Sequence, residues 1–317
     1  MTMTGAELLR KAAGPITVPG EFIAASGLLL PEQATAFLDA VYDATPFAAL
    51  QRVERRRSKS GTIAKIGIGS RLLRPKTTGV DDATLAKPTT GDVAYQTVAS
   101  RLDWDIDEEV FEENIEGAGF EDHTLRLMTD QVGRDLEDLH FNADTTDVSA
   151  DAVFLNMNSG WLYQLANDGL ANRVDGSAIS AGAVEKGHFF AAVEAMPNKY
   201  MQAGRVRWMA SPTTWSRYVE YLTDRATGAG DSALISGQVP SIAGISGISI
   251  PAMPNDRILL ADPQNFIVVN TKDIRVRRTT EGREAIRADK RFYAIFLDDD
   301  PIIEEQDGVV DIYGLTA

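Results

Sequence analysis

The residues with the widest chemical reach in this 317-residue chain are three histidines and a run of three aspartates, and no cysteine accompanies them. Without a thiol, a disulfide framework, a zinc–thiolate site, an iron–sulfur cluster and a cysteine nucleophile all drop out. His123 and His140 fall 17 residues apart on one helical stretch. At a rise of about 1.5 Å per residue that is roughly 25 Å, too far to share a metal. They and His188 are expected to be structural or solvated. A Ser-His-Asp arrangement has no G-x-S-x-G elbow behind it. Gly67-Ile68-Gly69 lacks a third glycine, and Ser58–Thr62 lacks the Lys-Ser/Thr ending of a phosphate loop. Asp298-Asp299-Asp300 offers oxygen ligands to a divalent cation. Successive residues of an extended segment point to alternate faces, however, so a solvated edge is the expectation there. The aromatic residues are dispersed and suit core positions rather than a base-stacking platform. No catalytic, cofactor-binding or metal site is expected, and no cofactor.

The elements around these residues explain more than the residues do. Residues 1–50 read as an arm. A short helix over Ala6–Ala13 gives way to an extended path set by Pro15 and Pro19, and an amphipathic helix then runs from Pro31 past Phe37, Leu38, Val41 and Tyr42 to Pro46. Residues 51–107 read as a long hairpin. Ile63, Ile66 and Ile68 mark one β-rich stretch. In the other, Leu102, Trp104 and Ile106 alternate with Arg101, Asp103, Asp105 and Asp107, a strand covered on one face. Between them, the 23 residues Ser70–Asp92 carry Pro75, Gly79, Pro88 and Gly91, which predicts a projecting loop. Residues 108–141 read as helix, with Leu125, Met128, Val132, Leu136 and Leu139 on one stripe and a bend or break at Gly117 and Gly119.

Residues 150–262 read as a mixed α/β unit. It holds a helix over Val184–Met196 and a strand through Val206, Trp208 and Ala210. Ser211-Pro212 opens a second helix, on which Trp215, Val219 and Leu222 face inward. Gly228–Gly247 suggests a surface loop. Strands return at Ile258–Leu260, Ile267–Val269, Ile274 and Val276, and Phe292–Leu297.

Charge is segregated along the chain. Overall, 31 Lys and Arg face 46 Asp and Glu, a formal net of −15. Yet Arg52–Lys76 holds nine bases and one acid, and Asp103–Asp122 holds ten acids and no base. Lys272–Arg291 is again basic, with eight bases to four acids, and Asp298–Asp311 holds seven acids alone. Like charges repel over a screening length of about 8–10 Å, so each block belongs beside its opposite, within one subunit or between copies. The acidic balance argues against a surface built for sequence-specific nucleic-acid binding. No run reaches 18 apolar residues, and the start lacks the order of a signal peptide, so a soluble intracellular product is expected.

In this order, the pieces resemble the major capsid proteins of tailed bacteriophages, the Hong Kong 97 type fold. The stretch Asp135-Leu136-Glu137-Asp138-Leu139-His140-Phe141-Asn142-Ala143-Asp144 is similar to the end of the family's spine helix and the following turn, although Ala143 stands where glycine is common. Trp208-Met209-Ala210-Ser211-Pro212-Thr213-Thr214-Trp215 is similar to the strand–Ser/Asn-Pro–helix step of its axial domain. Ile274–Gly282 resembles the late strand and turn of its peripheral domain.

The resemblance implies an α+β fold with an N-terminal arm (1–50) and an extended hairpin loop (51–107). A peripheral domain follows, with its long spine helix (108–155 and 263–305), and an axial α/β domain (156–262 and 306–317). It implies a non-enzymatic shell protein forming hexamers and pentamers, found in the virion and assembled in the bacterial host's cytoplasm. A separate scaffolding protein, a portal and non-specifically packaged double-stranded DNA would be its partners, and no membrane. In that setting, Arg55, Arg56, Arg57, Lys65, Arg71, Arg74 and Lys76 become candidates for inter-subunit contact with Asp103, Asp105, Glu108, Glu109, Glu112 and Glu113. An encapsulin-like compartment shell and a cytoplasmic hydrolase are the competing readings.

Overall fold

The computed structural model describes residues 47–67, 89–109, 120–167, 172–202, 204–224, 239–271 and 275–316. The arm through residue 46, most of the expected loop, the expected break at Gly117 and Gly119, and most of the Gly228–Gly247 stretch lie outside the described residues.

The first elements are β1 (Arg52–Arg55), β2 (Ser60–Gly67), β3 (Thr89–Gln96) and β4 (Val98–Asp107), followed by helix α1 (Phe120–Asn142). The long hairpin is real but narrower than its sequence suggests. β2 pairs antiparallel with β3, from Ser60 opposite Gln96 to Gly67 opposite Thr89. The residues between the legs are therefore 68–88, and Thr89–Asp92, read as loop, belong to a strand. β4 leaves the hairpin at Thr97 and joins a different sheet. Its alternation is as expected: Leu102, Trp104 and Ile106 are half-buried while Arg101, Asp103, Asp105 and Asp107 are exposed.

The short helix α2 (Ala152–Leu155) and helix α3 (Trp161–Asn167) follow α1. Next come β5 (Arg173–Asp175), α4 (Lys186–Ala195), β6 (Arg207–Ala210), α5 (Pro212–Thr223) and β7 (Gly247–Ser249). β8 (Ile258–Ala261), β9 (Phe266–Asn270), β10 (Arg275–Thr279), α6 (Arg283–Ala288), β11 (Lys290–Ile303) and β12 (Val309–Tyr313) complete the chain. The start of α5 is legible atom by atom. Ser211 keeps an extended backbone, its Oγ accepts the Thr214 amide at 3.1 Å, and Pro212 fills the first helical turn, where its missing N–H costs nothing.

One sheet has the order β5-β12-β8-β6-β7 and is buried on both faces. Along β8, Ile258 and Leu260 enter a core with Phe189, Trp208, Trp215 and Tyr218 from α4, β6 and α5. Leu259 and Ala261 point the other way, into a core with Phe47, Phe141, Trp161 and Phe266. The period-two alternation of a strand thus feeds two cores from four residues. Three buried tryptophans each donate an indole N–H to a carbonyl: Trp161 to Ile302, Trp208 to Ile242 and Trp215 to Ile248.

The second sheet is organised by β11. This 14-residue strand pairs antiparallel with β4 over Lys290–Asp299, with β10 on its other side, and with β9 over Asp299–Ile303; β1 adds to β9 in parallel. Helix α1 covers one face through Leu125, Val132 and Leu136, which pack on Leu102, Trp104, Ile295 and Leu297. Of the expected stripe, Val132, Leu136 and Leu139 are buried. The hairpin root takes the opposite face of the β9 end, where Ile63, Val93 and Tyr95 cover Ile267, Val269 and Ile302. The root of the β2–β3 hairpin is therefore anchored on the chain's own body.

Candidate functional site

The distinctive constellation of this molecule is where β11, the hairpin root and α1 meet, and it is built from the three aspartates. Asp298, Asp299 and Asp300 are buried, with relative exposures of 3%, 4% and 8%. This overturns the expected solvated edge. The alternation was read correctly, but β11 is the central strand of its sheet, with protein on both faces. On the α1 side, Asp299 Oδ2 lies 2.6 Å from His140 Nε2. On the hairpin side, Asp298 pairs with Lys59 Nζ at 3.4 Å, and Asp300 Oδ2 accepts the Gln96 backbone N–H at 2.7 Å. Asn158 Nδ2 donates to the Asp299 carbonyl, and Thr97 Oγ1 lies 2.8 Å from Thr271 Oγ1 beside them.

Burial pushes the Asp300 carboxyl up to about 6, and the charge of Asp299 adds to this. The Gln96 amide, Asn158 and His140 pull the other way. Beside Asp300 opens a cleft of about 1100 Å³ between β3, the segment around Asn158 and the end of β11. The His140–Asp299 pair is sealed beneath Trp161, whose ring centre lies 5.6 Å from the imidazole, so it ties helix to sheet and faces no substrate. His188 is likewise buried and holds the Gly176 carbonyl at 3.1 Å. Among the described residues, no three His, Asp or Glu side chains are grouped to hold a metal, and no helix is long and apolar enough to cross a membrane.

The charged blocks find much of their opposite sign inside the chain. From the basic stretch, Arg52 bonds Glu54 and Glu304, Arg56 bonds Glu54 at 2.6 Å, and Lys65 reaches Glu305 Oε2 at 3.2 Å and the Glu304 carbonyl at 3.0 Å. Its principal counterpart is the acidic block at the end of β11, an association the sequence reading did not make. Burial works upward on Glu54, but the Arg52 and Arg56 hydrogen bonds outweigh it and hold the carboxyl below its usual range.

From the acidic stretch, Asp103 pairs with Arg101 at 2.8 Å, Asp105 and Asp107 with Lys290 at 2.6 and 3.2 Å, and Glu108 with Arg291. The hydrogen bonds from Lys290 and Arg291 hold Asp105 and Glu108 below the usual carboxylate range. Arg55, Arg57 and Glu109 are exposed. Arg71, Arg74, Lys76, Glu112 and Glu113 lie outside the described residues.

Sequence reasoning missed the ion triad around a buried aspartate in the first sheet. Asp311 on β12 is fully buried and meets Arg173 at 3.2 Å and Arg257 at 3.3 Å. Two arginines facing one acid across three strands become visible only when β5, β8 and β12 are aligned.

No family model matches the chain. It is 26% identical, over 328 residues spanning 98% of both sequences, to YqbE of Bacillus subtilis (strain 168), described as a prophage capsid protein. Its fold superposes on a chain of the satellite phage P4 procapsid with a TM-score of 0.68, at 15% identity and over 99% of this chain and 98% of that one. A chain of Gordonia phage Cozz gives 0.60 at 12% identity, covering 86% and 87%. The SrpI encapsulin of Synechococcus elongatus gives 0.51 at 11%, covering 86% and 88%. The resemblance read in the sequence is borne out: the chain has the fold of phage capsid proteins and is similar to a prophage capsid protein along its whole length.

Proposed function

We infer that this chain is a structural, non-enzymatic major capsid protein that builds the head of a tailed double-stranded DNA phage. The observation that carries the reading is full-length likeness in both sequence and fold to phage capsid proteins, with a TM-score of 0.68 to a chain of the P4 procapsid. The encapsulin likeness is weaker. The finer architecture is of the Hong Kong 97 type: α1 is the spine helix, β11 and its neighbours form the peripheral domain, and the sheet centred on β8 and β12 is the axial domain. Hexamers and pentamers are the building units, a separate scaffolding protein and a portal act in assembly, and the packaged DNA is held without sequence preference. Shells form in the host cytoplasm and end as virions.

The interface residues follow from the same reading. Arg55 and Arg57 on the body and Arg71, Arg74 and Lys76 between the hairpin legs meet acids of a neighbouring copy, among them Glu109, Glu112 and Glu113. Many modest contacts repeated by symmetry let wrongly placed subunits leave before closure.

Electron microscopy of the purified or co-expressed protein tests this. Closed particles tens of nanometres wide are expected, and with the full phage assembly set they contain double-stranded DNA. A monodisperse small oligomer would overturn the shell, and particles filled with protein cargo would favour the compartment. Replacing residues 72–88 by a short Gly/Ser turn is expected to leave a folded protein that makes no closed shells, checked by circular dichroism together with microscopy.

A further inference from the structure

We propose that Lys65 positions the β2–β3 hairpin for assembly: it is a strut across the cleft beneath the hairpin, and it sets the inclination at which the hairpin leaves the body.

The inward face of the hairpin carries this. Along it, β2 and β3 present three opposed pairs, Gly61 with Tyr95, Ile63 with Val93, and Lys65 with Gly91. The first two pairs belong to the root, where Ile63, Val93 and Tyr95 lie on Ile267, Val269 and Ile302. At the base, Thr97 donates its amide to the Lys59 carbonyl at 2.8 Å, Asp298 takes the Lys59 ammonium, and Asp300 takes the Gln96 amide. Contacts confined to one end of a hairpin resist tilting through a short lever. Lys65 stands further out, about 20 Å along the strand from Lys59 at roughly 3.3 Å per residue. There the hairpin and the body part around the cleft of about 1100 Å³. The lysine ammonium crosses to the Glu304 carbonyl at 3.0 Å and to Glu305 Oε2 at 3.2 Å. Gly91 keeps its path open: a Cβ there would lie 3.1 Å from Lys65 Cε and 3.3 Å from Cγ, so the stem runs over bare backbone.

The landing is fixed. Asn265 brackets Glu305, accepting its amide at 2.7 Å and donating to its carbonyl at 2.7 Å. Glu304 donates its amide to the Asn265 carbonyl at 3.0 Å, and its carboxylate takes Arg52 at 2.7 Å. This segment joins β11 of one sheet to β12 of the other, so the strut ties the hairpin to the junction of both. Lys65 and Glu305 are partly exposed, which keeps the pair modest. Its loss is expected to lower the ratio of seated to tilted hairpin by about threefold, and a glutamate facing Glu305 to lower it by about tenfold.

That the hairpin reaches a neighbouring copy rests on the shell reading, whereas the tilt belongs to the single chain. The test places two spin labels on the full chain, at Thr90→Cys on the exposed face of β3 and Arg134→Cys on α1, in a protein with no other cysteine. With Lys65 in place, one narrow separation is expected at low salt. Lys65→Glu adds a second, displaced separation, Lys65→Met adds less of it, and Lys65→Arg restores one. Salt tells a strut from a packing change. It should raise the displaced population in the parent chain by screening an attraction, and reduce it in Lys65→Glu by screening a repulsion. Combining Lys65→Glu with Glu305→Lys is expected to restore the single separation. One unchanged separation in Lys65→Glu overturns the strut, as do salt responses of the same sign in both chains. Should Lys65→Glu not fold, Lys65→Met decides alone: loss of the parent's salt response supports the strut, and an unchanged response overturns it. In particles, Lys65→Glu is expected to broaden the diameters, and a normal distribution beside a displaced hairpin overturns the role in assembly. Failure of the parent chain to form particles would sink the shell reading and leave the tilt measurement standing.

Discussion

At the scale of single residues, Gly160 is a glycine walled in by backbone. A Cβ there would lie 2.7 Å from the Ala143 nitrogen and 2.8 Å from the Phe141 carbonyl oxygen. These are backbone atoms of the end of α1 and the turn beyond it, so they have no rotamer by which to retreat. Gly160 also donates its amide to the Ala143 carbonyl at 2.8 Å. Gly160→Ala is expected to destabilise by about 1–3 kcal/mol through overpacking, read as a lower urea midpoint with unchanged slope. The turn that reads oddly in sequence, with Ala143 where glycine is common, is thus tight in structure, and the small residue that makes room stands on the partner segment. Asp311 makes a second demand. Removing it by Asp311→Ala leaves Arg173 and Arg257, both partly exposed, without their acid, and the expected loss is about 1–3 kcal/mol. Chemical denaturation checks it: a loss below about 0.5 kcal/mol would mean that water solvates both arginines as well as Asp311 does.

At the scale of elements, packing separates residues that look alike in sequence. Leu136 and Leu127 both sit on α1, but Leu136 is 8% exposed against Ile295 while Leu127 is 58% exposed. Leu136→Ala should cost about 2–5 kcal/mol, and Leu127→Ala less than about 0.5 kcal/mol in the isolated chain. Comparing the two thermal midpoints checks this.

The elements also show what the sequence could and could not reveal. Local signals were legible: the Ser211-Pro212 start of α5, the one-faced alternation of β4 and the stripe of α1 all depend on residues within a few positions of each other. Pairing was not legible. β4 looked like the second leg of the hairpin because it follows β2 with suitable alternation, yet its partner is β11, nearly 200 residues later. The same non-local pairing buried the aspartate run. A strand that is solvated when considered alone becomes the centre of a sheet once β4, β9 and β10 flank it. The ion triad around Asp311 was hidden for the same reason.

At the scale of the whole molecule, the charge blocks now divide into those satisfied within the chain and those left over. Asp103, Asp105, Asp107 and Glu108 have internal partners, as do Arg52, Arg56, Lys59 and Lys65. Among the described residues, Arg55 and Arg57 are exposed cations with no acid within ion-pair distance, next to a body that carries a net charge of −15 in all. Exposed cations that gain nothing at home are inexpensive to remove and informative if an interface needs them, since rim charges act chiefly on association rate and its salt dependence. Arg55, Arg57→Glu is therefore expected to leave the urea midpoint within about 0.5 kcal/mol of wild type, while slowing particle growth in light scattering most strongly at low salt. Adding Arg56→Glu should lower stability as well, because Glu54 then faces a like charge in place of its 2.6 Å partner. If acids of a neighbouring copy are the counterpart, recovery should come from reversing Glu109, Glu112 or Glu113. Reversing Asp105 or Glu108 should worsen matters, since Lys290 and Arg291 would then lose the partners that hold β4 to β11. Recovery by Asp105→Lys instead would show that the internal pairs open on assembly.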